Sequence, residues 1–258
     1  MKIWYQSLSQ IGHDPGYDPY EVNLKAYVDI VARPGTQVDV YGVKKKAPNM
    51  VKSDFIQHLH VGQVIDNALK AEREGYDAFC VGGSLDLGYA CLKEVLDIPV
   101  AFITESAYMS ACLVARTFGI IGISEQNLRR KMQLVRDYGL TERCTPGAHL
   151  NSENSAIIDS FARDPQSFID NFTKAARQVI AGGAGVLIPS YGAMGSFLSK
   201  QGITTIDNIP IIDIVAVLIK TTEMLVDLKA LGLKQSRASW NNHASKEELL
   251  AAMRIYSA

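Results

Sequence analysis

Ala78-Phe79-Cys80-Val81 is a run without a polar position, set between Gly75 and Gly82-Gly83. A strand with one solvated face alternates. A run this short and this apolar is the pattern of a strand buried on both faces, as in a parallel sheet covered by helices. Parallel neighbours need a crossover, usually a helix, so the flanking segments must be helical. Asp18-Pro19-Tyr20-Glu21 gives a helix start, with Asp as cap, Pro in the first turn and Glu three residues after the cap. Val61, Val64, Ile65, Ala68 and Leu69 sit at helical spacing and Gly75 closes that helix. Further helices are expected over 85–96, 105–116, 126–138 and 214–231, and one opening at Pro165. Strands are expected over 2–6, 36–43, 100–103, 118–123, 186–188 and 210–212. This βαβα order predicts an α/β fold with mostly parallel sheets flanked by helices.

The pattern occurs twice. The segment from Glu74 to Gly83 has a counterpart from Gly182 to Tyr191, at an offset of 108 residues. Asp97-Ile98-Pro99-Val100 matches Asn208-Ile209-Pro210-Ile211 at an offset of 111, and 2–7 matches 119–124 at an offset of 117. A slowly drifting offset is what loop insertions would produce. The expected organisation is two similar lobes, 1–115 with 214–231 and 116–213, then an extension over 232–258. In that extension 234–243 is polar, and Ser245-Lys246-Glu247-Glu248 opens a short helix by a capping box. Its apolar face could pack on its own lobe or on a second copy, so a homo-oligomer stays open.

With 26 Lys and Arg against 27 Asp and Glu, the net charge is −1. That balance, with only Lys44-Lys45-Lys46 as a basic run, argues against a nucleic-acid partner. Met1-Lys2-Ile3-Trp4-Tyr5 leads into polar residues without the apolar core of a signal peptide. No apolar stretch nears the roughly 18 residues of a membrane span. The four cysteines, Cys80, Cys91, Cys112 and Cys144, lack CxxC spacing, and three sit in apolar segments as reduced core thiols would. The expectation is a soluble, cytoplasmic protein.

Three stretches carry a resemblance: 71–78 before the first apolar strand, Val95-Leu96-Asp97-Ile98-Pro99-Val100, and Gly183-Ala184-Gly185-Val186-Leu187-Ile188. With the duplication, they make the chain similar to the aspartate/glutamate/hydantoin racemase superfamily, nearest its hydantoin-racemase branch. The resemblance implies a cofactor-independent enzyme acting in a cleft at the carboxyl ends of the strands, on a small carboxylate, imide or hydantoin-like molecule. In that family two cysteines face each other across the substrate; one thiolate removes the α-proton and the other thiol returns one. Carried over, these positions are Gly83 and Tyr191, or Ser190 for the second if the alignment slips by one. Neither is Cys. A two-base racemase needs an acid–base group on each face, and glycine supplies none. The resemblance therefore implies isomerase, lyase (decarboxylase) or hydrolase chemistry without two thiols. A non-catalytic binder on the same fold is the alternative.

Small and hydroxyl residues mark the strand ends: Gln6, Ser7, Gly83, Ser84, Ser124, Ser190 and Gly192. They are the candidate substrate-binding positions, because exposed N–H groups and hydroxyls there can hold a carboxylate or an enolate. Each serine has a simpler role available as a helix cap. Tyr191 is a candidate acid through its phenol, or a space-filler. His58 and His60, read as an extended segment before the helix at 61, are the candidate bases. Metal ligation by the pair lacks a third ligand at suitable spacing. Asp86 looks like the Asp of the family's strand-end loop, or caps the following helix.

Overall fold

The computed structural model describes residues 1–48, 50–152, 154–236 and 244–256. They form two compact units. The first comprises Met1–Val81, Leu87–Ala101 and Thr222–Ala258; the second comprises Gly82–Asp86 and Phe102–Thr221.

The first unit contains β1 (Lys2–Gln6), α1 (Asp18–Val31), β2 (Gln37–Tyr41), α2 (Asp54–Arg73), β3 (Ala78–Val81) and α3 (Tyr89–Val95), then β4 (Val100–Phe102), whose last residue belongs to the second unit. The sheet order is β2-β1-β3-β4, and β1 runs parallel to both neighbours, with Ile3 opposite Val38 and Ala78. All four residues of β3 are buried, as its unbroken apolar run requires. The Trp4 ring stacks on Tyr41 at 3.8 Å and meets Tyr76 edge-on at 5.2 Å.

The second unit contains α4 (Ile103–Val114), β5 (Gly119–Gly122), α5 (Glu125–Asp137), β6 (Ala148–His149), α6 (Asn154–Arg163), α7 (Pro165–Ala181), β7 (Leu187–Pro189), α8 (Gly192–Lys200), β8 (Thr205–Ile206) and β9 (Ile209–Pro210). Helix α9 (Ile214–Ala230) follows. Its sheet has the order β6-β5-β7, again parallel, and Ile211 adds a parallel bridge to Leu187. So β1, β2 and β3 have β5, β6 and β7 as counterparts, and Ile211 stands where β4 stands. The matched offsets in the sequence are matched positions in two sheets of one topology.

Several boundaries differ from expectation. Helix α2 begins at Asp54 rather than 61, because the Ser53 hydroxyl accepts the Ile56 N–H at 3.3 Å and caps it there. The helix expected over 85–96 shortens to α3: Asp86 at φ 49° and Gly88 at φ 80° hold left-handed backbone that a helix cannot contain. Of the strand expected over 210–212, Pro210 ends β9, which pairs antiparallel with β8, and Ile211 makes a single parallel bridge to Leu187. Helix α8 is unexpected because two of its residues are glycine. Close packing demands them: a Cβ on Gly192 would lie 3.0 Å from Val215 Cγ2. Here tertiary approach outweighs helix propensity.

Of the polar stretch at 234–243, residues 237–243 lie outside the described ones. Beyond it, α10 (Lys246–Tyr256) starts with the expected box: Glu248 N–H donates to Ser245 Oγ at 3.3 Å, and Ser245 N–H to Glu248 Oε2 at 2.7 Å. Lys246 pairs with Glu72 and Asp97, tying the helix start to its own unit.

Candidate active site

The second unit holds the buried polar residues Asp86, Thr104, Lys131 and Ser190. The Gly82–Asp86 loop leaves β3 and turns back on itself, with Asp86 N–H donating to Gly83 O at 3.1 Å. The turn carries the buried Asp86 carboxylate to the start of α4. There it accepts the N–H groups of Thr104 at 3.0 Å and Glu105 at 2.8 Å. Asp86 therefore caps the helix after β4, not the next helix in the chain. The Tyr138 phenol donates to the same carboxylate at 2.6 Å. Burial raises the Asp86 pKa, while Tyr138, the Lys131 charge and the two backbone donors pull it down.

Lys131 is the group the sequence reading missed. It is 1% exposed on α5, a helix whose other fully buried residue is Val135. Its Nζ donates to Thr104 Oγ1 at 3.4 Å, and Thr104 Oγ1 donates to Ser84 O at 3.0 Å. Burial lowers the ammonium to about 8 against the opposing pull of Asp86. The available signal was register: Lys131 stands three after Leu128 and four before Val135, on the inward stripe of an amphipathic helix.

Lys131, Thr104 and Ser190 line one narrow cavity, otherwise walled by apolar groups such as Ile120, Ile188 and Ile214. The Ser190 hydroxyl donates to Asn127 Oδ1 at 2.6 Å. Asn127 N–H donates to Ser124 Oγ at 3.3 Å, so Ser124 caps α5. Ser190, Asn127 and Ser124 thus join the ends of β7 and β5. Ser84 and Gly83 are half-buried in the loop after β3, and Gly192 is the first residue of α8. Tyr191 is the N-cap residue of α8 without a side-chain capping bond, half-buried against the apolar cluster of Phe168, Phe172 and Leu198. Gly83, Ser84, Ser124, Ser190, Tyr191 and Gly192 all belong to this unit.

Gln6, Ser7, His58 and His60 belong to the first unit. Gln6 is fully buried; its Oε1 accepts from Trp4 Nε1 at 3.1 Å and Asn67 Nδ2 at 2.9 Å, and its Nε2 donates to Ser7 O at 2.8 Å. Ser7 Oγ accepts Ser9 N–H at 3.1 Å and hydrogen-bonds the Tyr20 phenol. The histidines are not on an extended segment. Both lie on α2, where two residues apart means roughly 200° around the axis, so His58 is exposed and His60 buried. A shared metal is thereby excluded for the pair. His60 Nε2 is buried without a hydrogen-bond partner, while the ring bonds the Leu8 backbone. Burial, then the Lys46 charge, lowers its pKa and favours neutral imidazole. Among the described residues, no group of three or more His, Cys, Asp or Glu could hold a metal ion.

The thiols stand apart from these strand-end positions. Cys80 lies inside β3, where burial raises it to about 12 against a Thr222 hydrogen bond. Cys144 rises to about 11 by burial. Cys91 is exposed on α3, and Cys112 is half-buried on α4.

Twin parallel sheets with polar groups at their carboxyl ends define a racemase-type α/β enzyme fold. The chain belongs to the Asp/Glu/Hydantoin racemase family, whose model matches residues 23–222. It is 27% identical over 226 residues to a hydantoin racemase of Pseudomonas sp. (strain NS671), covering 86% of each chain. Its fold is similar to that of allantoin racemase from Klebsiella pneumoniae, with a TM-score of 0.77, 20% identity and coverage of 95% and 96%. Unliganded arylmalonate decarboxylase shares the fold at a TM-score of 0.56, with 12% identity and coverage of 87% and 92%. The chain is thus a racemase-superfamily enzyme. Among the described residues, no helix is long and apolar enough to cross a membrane.

Proposed function

We propose that this protein is a cofactor-independent, cytoplasmic enzyme acting next to a carbonyl or carboxylate of a small molecule, without a two-thiol mechanism. The carrying observation is the pair Gly83 and Tyr191 at the positions where the family resemblance puts the thiols. A substrate anion formed beside the second unit's strand ends would meet N–H groups and hydroxyls rather than a thiolate. Tyr191 is the acid in this reading. Its ring already packs on the core, so removing only the oxygen separates chemistry from packing.

The test is turnover and solvent-deuterium exchange on a panel of hydantoins, cyclic imides and small dicarboxylates. Tyr191→Phe should lower kcat/KM by about 10²–10³, the usual effect of removing one donor to a developing anion. A loss below about threefold, under ~1 kcal/mol, assigns Tyr191 to packing. Deuterium entering a hydantoin α-position from both faces at a useful rate would refute the one-sided chemistry. Binding across the panel without turnover would make the protein a non-catalytic binder.

A further inference from the structure

An amphipathic helix gains most by turning an apolar residue inward. α5 turns Lys131 inward instead, directly after Arg129, which is exposed, and Arg130, which is half-buried. A buried ammonium costs several kcal/mol in desolvation that an apolar residue of similar size would not. Its surroundings give it a direction. Lys131 donates to the Thr104 hydroxyl, which donates to the Ser84 carbonyl in the loop carrying Gly83. The cavity beside it, with room for about one water molecule, is also lined by Ser190, the residue before Tyr191. One ammonium is therefore linked by a hydrogen-bond chain to one strand-end loop and by a shared cavity to the other.

We propose that Lys131 is a positioning residue whose positive charge makes the two strand-end loops of the second unit, at Ser84 and Ser190, a binding site for the carboxylate of a small acid. The proposal rests on the reading of these loops as the substrate site. The charge acts through the Thr104 hydroxyl and the cavity rather than by contact. Asp86 is the counter-charge of Lys131 within the unit, but its carboxylate is turned to Thr104 N–H, Glu105 N–H and the Tyr138 phenol and does not line the cavity that Lys131 shares with Ser190. Asp86 from the loop after β3 is the charge that acts on Lys131, and Tyr108 from α4 lines the same cavity; Tyr138, the C-cap of α5, bonds Asp86, and Cys144 acts on Tyr108. Tyr108 is raised far up by burial and then by Asp86, and Cys144 to about 11. Lys131, held near 8 by burial, is the one that loses its charge in mildly alkaline solution.

Malonate, a dianion from neutral pH upwards, is the probe. Calorimetric titration of the full chain at pH 7.0 and pH 9.5 should show saturable binding at the lower pH, weakened about tenfold or more at the higher. Lys131→Arg keeps its charge throughout, so its affinity should be the same at both pH values. Lys131→Met should bind weakly at both. Wild-type affinity that does not change with pH, equal affinity in Lys131→Met, or no saturation at either pH overturns the proposal. Should Lys131→Met fail to fold by circular dichroism, the wild-type and Lys131→Arg titrations decide alone. Lysine-dependent malonate binding without turnover on the panel would sink the enzymatic reading and leave this one standing. Turnover with malonate binding indifferent to pH would do the reverse.

Discussion

The two units finish their sheets with different chemistry. In the first, Gln6 and Ser7 at the end of β1 are held by Trp4, Asn67, Tyr20 and backbone, all neutral partners. In the second, the loop that leaves β3 and the helices it meets carry a buried carboxylate, a buried ammonium and two phenols, Asp86, Lys131, Tyr108 and Tyr138. A neutral cluster whose donors are satisfied is cheap to bury and specifies packing. Opposite buried charges rarely stabilise a fold beyond what apolar residues would do, and perturbed titrating groups gather at functional sites. The contrast separates a unit whose strand end is closed by packing from one whose strand end retains charge.

The largest test of that contrast is Asp86→Ala. It removes the acceptor of two α4 N–H groups and of Tyr138, and leaves Lys131 as an uncompensated buried charge. It also places alanine at φ 49°, which favours glycine. Stability to urea should fall by about 3–5 kcal/mol, the usual result of removing one partner of a buried pair. A loss under about 1 kcal/mol would mean that the carboxylate is solvated in solution, and the charged character of this unit would be overstated.

Lys131→Met should move stability the other way. The unfolded lysine holds its proton up to about 10.5, the folded one up to about 8. Between these values the unfolded chain binds more protons, so wild-type stability rises with pH across that window, and the full penalty is present below it. Lys131→Met lacks the penalty. It should be more stable than wild type by about 3 kcal/mol at pH 7, from a shift of about 2.5 pKa units at about 1.4 kcal/mol per unit, with the gap closing as pH approaches 10.5. Urea midpoints at pH 7, 8.5 and 10 measure this. A constant gap would place Lys131 in water.

The sheets were legible because burial on both faces leaves runs such as 78–81 and 186–188 without polar residues, and because the duplication repeated them. The polar network was not. Asp86 serves a helix 18 residues downstream, and nothing local in the sequence marks a cap supplied from another loop. Lys131 was readable only as a misplaced polar residue on an apolar stripe. The histidines were misjudged because the helix that Ser53 caps turns Phe55 and Leu59 outward to solvent, so its start does not show the apolar periodicity that begins at 61. Helix α8 hid behind Gly192 and Gly195, whose presence is explained by close neighbours distant in sequence.

The smallest effect gives the cleanest control. Ser53 and Ser124 cap one helix in each unit with the same geometry, an Oγ accepting the third N–H at 3.3 Å. Replacing such a cap by alanine costs about 1 kcal/mol. Ser53→Ala and Ser124→Ala should therefore lose equal stability if capping is all that either hydroxyl does. They differ in company: Ser124 neighbours Asn127, which holds Ser190, whereas Ser53 opens a helix in the unit closed by neutral packing. The same two variants should then be compared for kcat/KM on whichever substrate of the panel turns over. Equal stability loss with unchanged rates confines Ser124 to the cap. A tenfold fall in rate for Ser124→Ala alone, at the same stability loss, assigns its hydroxyl proton to the substrate, since the oxygen's other role is matched by the control. Equal rate losses in both would show that helix fraying, not a strand-end hydroxyl, limits turnover, and the division of labour between the two units would fail at that point.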